Sequence, residues 1–135
     1  MKKVLLTFTC LATLAGSVFA HHSAAMFDST KLVILKGSML SFTNLNPHAW
    51  ISVQASINGT GKLERWDVET TAPMQLATMG IRSDTLKAGD KVTIAIRPMR
   101  DGRRAGAMVF LVTPDGVAHG AKPEDLGLDL AALKP

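Results

Sequence analysis

Apolar and polar positions alternate most cleanly over Ala49–Ile57, where Ala49, Ile51, Val53, Ala55 and Ile57 interleave with Trp50, Ser52, Gln54 and Ser56. A period of two puts each set on its own side of a pleated chain and predicts a half-buried strand. Asn58-Gly59-Thr60-Gly61 follows and predicts a hairpin, from which Lys62–Thr70 returns with Trp66 and Val68 on one face. Val33–Phe42 is rich in β-formers, and Gly37 within it predicts a bulge or a sharp bend. Lys91–Pro98, with Val92, Ile94 and Ile96 inward, and Ala105–Thr113 supply two more strands, and Val117-Ala118 adds a few ladder contacts. Helical spacing occurs once, after Thr71. Thr71 is the expected cap, Pro73 suits the first turn, Met74, Leu76, Ala77 and Met79 form a stripe, and Gly80 ends it. A loose helical turn over Leu126–Leu133 belongs to the tail.

The resulting order, three strands, a helix and two strands, is that of a mainly β fold: a small OB-like five-stranded barrel with one short helix between strands 3 and 4. In such a barrel the loops joining strands 1–2 and 4–5 flank the ligand face. Here they carry Asn46-Pro47-His48 and the run Arg100-Asp101-Gly102-Arg103-Arg104. The chain therefore divides into a signal peptide (1–20), an extended amino-terminal arm (21–32), the barrel (33–119) and a carboxy-terminal tail (120–135).

The first twenty residues follow the pattern of a secretory signal: Met1-Lys2-Lys3, the apolar run Val4–Gly16, then Val18-Phe19-Ala20 before the cut. The sole cysteine, Cys10, lies inside that run, so the exported chain has no thiol for a disulfide, a thiolate metal site or a nucleophile. The formal charge of +4 includes Lys2 and Lys3, and their loss leaves 13 basic against 11 acidic residues. That balance does not argue for nucleic acid. No later segment approaches the roughly 18 apolar residues of a membrane span, and a bacterial periplasmic or secreted location is expected.

Several motifs together resemble one family of small exported bacterial proteins whose domain has no known function. They are His21-His22-Ser23 with Phe27-Asp28, Asn46-Pro47-His48, Trp66-x-Val68-Glu69, Lys87-x-Gly89-Asp90 and Arg100-Asp101-Gly102. One departure is Ile81, which stands where the pattern has Trp after the glycine. The resemblance implies a secreted small β domain and brings no activity with it.

Cleavage after Ala20 leaves His21 with a free α-amine and His22 behind it. The amine and the Nδ1 of a terminal histidine close a chelate ring on one ion, and a further imidazole completes a T-shaped three-nitrogen set, the histidine brace. An alternative mode uses the amine, the His22 amide and the His22 ring. Tetragonal all-nitrogen sites suit Cu(II), which also heads the divalent affinity order. His48, behind a proline at a loop mouth, is the first choice for the third donor and His119 the second. Met26 is a soft donor for Cu(I), Asp28 an axial or outer group, and Glu69 a group that orients His48 or holds a water. Protons compete for every such donor, so affinity falls with pH through the imidazole and α-amine ranges, roughly 6.5 and 8 in model peptides.

These residues predict a copper-binding protein with metal ligands His21, His22 and His48, which sequesters or delivers the ion and is not an enzyme. The sequence places no Ser-His-Asp constellation with any specificity and carries no Gly-rich phosphate loop. The rival expectation is a metal-free recognition module for a peptide, a saccharide or an envelope protein. Its contacts would be the loops and the basic hairpin with Arg97, Arg100, Arg103 and Arg104, while Trp50 and Trp66 could stack a flat or sugar ligand, core packing accounting for at least Trp66.

Overall fold

The computed structural model describes residues 22–135, with the side chains described from residue 24 onward. The expected signal peptide and His21 lie outside the described residues, as do the side chains of His22 and Ser23. Six strands form: β1 (Val33–Thr43), β2 (Trp50–Ile57), β3 (Glu64–Glu69), β4 (Lys91–Pro98), β5 (Ala105–Val112) and β6 (Ala118–Gly120). Helix α1 is His22–Ala25, α2 is Pro73–Thr78 and α3 is Leu130–Leu133, with a 3-10 turn over Pro123–Leu126. The sheet runs β3-β2-β1-β4-β5-β6, and β3 also pairs with β5, in parallel, through Asp67–Glu69 and Ala105–Ala107. That pairing closes β1–β5 into the expected OB-like barrel, and β6 is an extra strand on β5.

Closure needs a strand that belongs to both halves of the barrel. β1 pairs with β4 through Val33–Ser38 and with β2 through Leu35–Thr43. Gly37 lies where both neighbours flank it, opposite Ala55 and Val92. A Cβ there would sit 2.1 Å from the Gln54 carbonyl oxygen and 2.6 Å from Ala55 Cα. Glycine is therefore required for close approach of two backbones. The bulge expected at Gly37 falls instead between Met39 and Ser41, leaving Leu40 unpaired in the β1–β2 ladder and exposed. At the β2–β3 hairpin, Asn58 and Gly59 both take positive φ, 55° and 75°, as a two-residue turn demands.

The alternation read from β2 holds with one exception. Ala49, Ile51, Val53 and Ala55 are fully buried with Val68, Ile94, Ile96 and Leu111, whereas Ile57, at the hairpin end, is exposed. Each fully buried Val, Leu or Ile side chain contributes about 1.5–3 kcal/mol of transfer free energy. Ile81 is completely buried in the same core, so the position that departs from the family pattern still packs as an apolar residue. Thr71 does not cap α2. The N-cap is Ala72, with no side-chain bond, and the Thr71 hydroxyl contacts the Gln75 side chain.

A second apolar cluster lies outside the barrel, where Ala95, Phe110 and Val112 meet Leu133 with Leu126, Leu128 and Leu130 around them. It explains why β4 is buried on both faces over Val92–Ile96. The carboxy-terminal segment packs here, and Lys36 Nζ donates to the Ala132 carbonyl at 2.8 Å near the end of α3. No helix among the described residues is long and apolar enough to cross a membrane.

Candidate functional site

The arm is not extended throughout. It opens with α1, closes that turn with the Phe27 amide on the Ala24 carbonyl, then pairs with the chain leaving β4. Phe27 bridges Met99, the Asp28 amide donates to the Pro98 carbonyl at 2.8 Å, and the Arg100 amide donates to the Met26 carbonyl at 2.9 Å. Side chains reinforce the seam. Arg97 donates to the Lys31 carbonyl at 2.7 Å and Arg100 Nε to the Ala25 carbonyl at 3.1 Å.

Asp28 locks the far end of this seam. Its Oδ1 accepts the Thr30 hydroxyl at 2.6 Å and the Thr30 amide at 3.1 Å, and Lys31 Nζ lies 3.3 Å from Oδ2. The two Thr30 bonds, with the smaller help of Lys31, outweigh burial and lower its pKa to about 2. Asp28 thus anchors the arm through Thr30 and Lys31.

The loop between β1 and β2, with its cis Asn46–Pro47 peptide, delivers His48 to the end of the β2–β3 ladder. Two bonds extend that ladder past Trp50: the Ala49 amide donates to the Thr71 carbonyl at 3.0 Å, and the Thr70 amide to the Ala49 carbonyl at 2.9 Å. Trp50 stands opposite Glu69, so His48, two residues before Trp50, emerges on the outer side beside that carboxylate. His48 Nδ1 and Glu69 Oε1 are in direct hydrogen-bond contact. A carboxylate only accepts, so Nδ1 carries the proton and Nε2 is the ring nitrogen left to offer a lone pair. Nε2 has no hydrogen bond among the described residues. The ring is 43 % exposed while Glu69 is only 14 % exposed: the orienting group is sheltered and the ring it orients is accessible. This is the role expected of Glu69.

His48 and Glu69 line a shallow pocket of about 290 Å³ together with Ala24, Phe27, Thr70 and Met108. The arm therefore passes over His48 three residues after His21, a span of at most about 11 Å even in fully extended chain. Met26 lines a different hollow, described below, and does not border the His48 pocket. Among the described residues no three His, Cys, Asp or Glu side chains come together as a metal-holding group.

His119, the second choice for the third donor, stands at a different corner of the barrel. It lies in β6 opposite Leu111, half-buried, with both ring nitrogens engaged. Nδ1 donates to the Met79 carbonyl at 2.8 Å, satisfying a group at the end of α2, and Nε2 lies 3.3 Å from Thr113 Oγ1. Sequence reasoning missed this because Met79 and His119 are forty residues apart and only the α2–β6 packing brings them together. Of the remaining arginines, Arg103 pairs with Asp101 at 2.7 Å and Arg104 grips Glu64 with two bonds of 2.6 and 2.7 Å. The two bonds from Arg103, backbone first and side chain second, hold the Asp101 carboxyl below the usual range. All four arginines at this hairpin thus have partners within the chain, which favours a structural role for the basic run over an anion site.

No curated protein and no solved structure matches this chain. The profile of a family of unknown function, DUF6152, matches residues 9–108, a span that includes the arm, the His48 loop, α2 and the first half of β5. The chain belongs to DUF6152.

Proposed function

We propose that the exported chain binds copper at its amino terminus, with His21 and His22 supplying nitrogen donors and His48 Nε2 completing the set. The observation that carries the reading is the shared pocket of Ala24 and the His48–Glu69 pair, which brings the arm within chain reach of an accessible, pre-oriented imidazole. A carboxylate behind a ligating histidine fixes its tautomer and raises its basicity, as outer partners do at metal sites generally. All-nitrogen donors select Cu(II) among common divalent ions. With no thiolate on the exported chain, the chemistry suits sequestration or hand-over of the ion in the periplasm.

The test is a competition titration with Cu(II) on protein beginning at His21 and on protein of the same sequence whose α-amine is acetylated. Acetylation removes the primary amine as a donor in either chelate mode, so affinity falls by more than about a hundredfold, beyond what outer-group changes produce. Equal affinity for the two proteins overturns the proposal.

A further inference from the structure

Beside the His48 pocket, and sharing Glu69 with it, lies a larger hollow of about 600 Å³. Its volume falls within the roughly 300–1,000 Å³ of small-molecule sites. Its floor is the outer face of β2–β3 and its flanks are the arm and the β4–β5 loop, with Trp50, Phe27 and Met99 on the apolar side and Arg65, Asp67 and Glu69 on the polar side. Trp50 is 43 % exposed, although Trp66, across the β2–β3 pair on the inner face, is buried.

The polar side is pre-organised. Asp67 Oδ1 accepts from Ser52 Oγ at 2.5 Å, from Arg65 Nη2 at 3.1 Å and from Arg65 Nε at 3.2 Å, while Arg65 Nη2 also reaches Ser52 Oγ at 3.2 Å. Apart from Glu69, which faces His48, charges around the hollow come in opposite pairs: Arg65 with Asp67, Arg104 with Glu64 and Arg103 with Asp101. An ionic ligand of either sign gains little net field from such a rim, and a purely apolar ligand would strip water from its carboxylates without replacing the lost hydrogen bonds. Among the described residues, Asp67 Oδ2 and Glu69 Oε2 keep acceptor capacity, and Arg65 Nη1 keeps donor capacity.

A ligand that offers hydroxyls, which donate and accept at once, along one edge and an apolar C–H face to an indole meets all of these conditions. We infer that the Trp50 hollow is a binding site for a neutral saccharide: a pyranose ring stacks on Trp50 while its hydroxyls bridge the Asp67 carboxylate and the Arg65 guanidinium. The inference does not depend on copper, since none of Trp50, Asp67 and Arg65 is a proposed ligand.

Titration of the metal-free chain with neutral cello-, chito-, malto- and xylo-hexaoses, followed by calorimetry and by the Trp50 indole N–H resonance, tests it. At least one hexaose is expected to bind with a Kd at or below about 1 mM and to move the Trp50 resonance, with Trp66 unmoved. Trp50→Ala and Asp67→Asn each weaken that binding at least about tenfold, and Asp67→Asn keeps the indole in place should Trp50→Ala disturb the sheet. The inference is overturned if no hexaose binds below about 10 mM, if binding survives both substitutions, or if only a charged peptide probe shifts Trp50.

Discussion

His48 and His119 are the same residue at two corners of one barrel, and their surroundings give them opposite chemistry. At the β1–β2 loop, Glu69 takes one ring nitrogen of His48 and leaves the other facing an accessible pocket. At the α2–β6 corner, Met79 and Thr113 engage both nitrogens of a half-buried ring. One imidazole is oriented and available; the other is a fastener. Residue type alone ranks both as candidate ligands, and hydrogen-bond accounting separates them.

The sharpest way to break this contrast is to remove the group that orients His48. Glu69→Gln keeps the shape and loses the charge, and copper affinity measured by competition is expected to fall about 10–100-fold. Thermal unfolding of the metal-free protein should change little, because the pair is partly exposed. A large stability loss with unchanged affinity would give Glu69 the role assigned here to His119. The reciprocal change, His119→Ala, leaves the Met79 carbonyl without its partner and should cost about 1–3 kcal/mol in denaturant unfolding. Copper affinity should stay within about twofold, because neither ring nitrogen of His119 is a proposed ligand.

The smallest effect concerns the anchor that carries the arm toward His48. Asp28 has a folded-state pKa of about 2, below the roughly 3.9 of an unfolded aspartate, so its contribution is complete above about pH 4. That contribution is lost as pH falls through about 2. Protection of the Arg100 amide, which donates to the Met26 carbonyl, should stay level from pH 7 to about 4 and decline below that, after correction for intrinsic exchange. Asp28→Asn should remove the decline and lower protection at neutral pH, with less than about a tenfold loss of copper affinity.

Much of this architecture is legible in the chain. Strict alternation over β2, the Asn58-Gly59 turn and the apolar β4 follow from local rules, and the element order narrows the closure to an OB-like barrel. The Glu69–His48 pairing follows from the same reasoning, because Glu69 ends β3 and His48 lies two residues before β2, its hairpin partner. What escapes is set by long-range packing. The bulge at Leu40 and the Gly37 contact depend on how β1 is shared by β2 and β4. The two-sided burial of β4 depends on the carboxy-terminal segment folding back over Phe110, and the Asp28 anchor on the arm lying against the β4–β5 loop. None of those neighbours is local in sequence.

The most direct measurement is pulsed electron paramagnetic resonance of the Cu(II)-loaded chain starting at His21, compared with its His48→Ala variant. Coordination through His48 Nε2 leaves Nδ1, held by Glu69, as a remote nitrogen with its own modulation. Because the amino-terminal imidazole also carries a remote nitrogen, the prediction is a shallower remote-nitrogen modulation in the variant, with the multiple-imidazole combination lines lost, together with weaker copper binding. Identical spectra and equal affinities for the two proteins would contradict it.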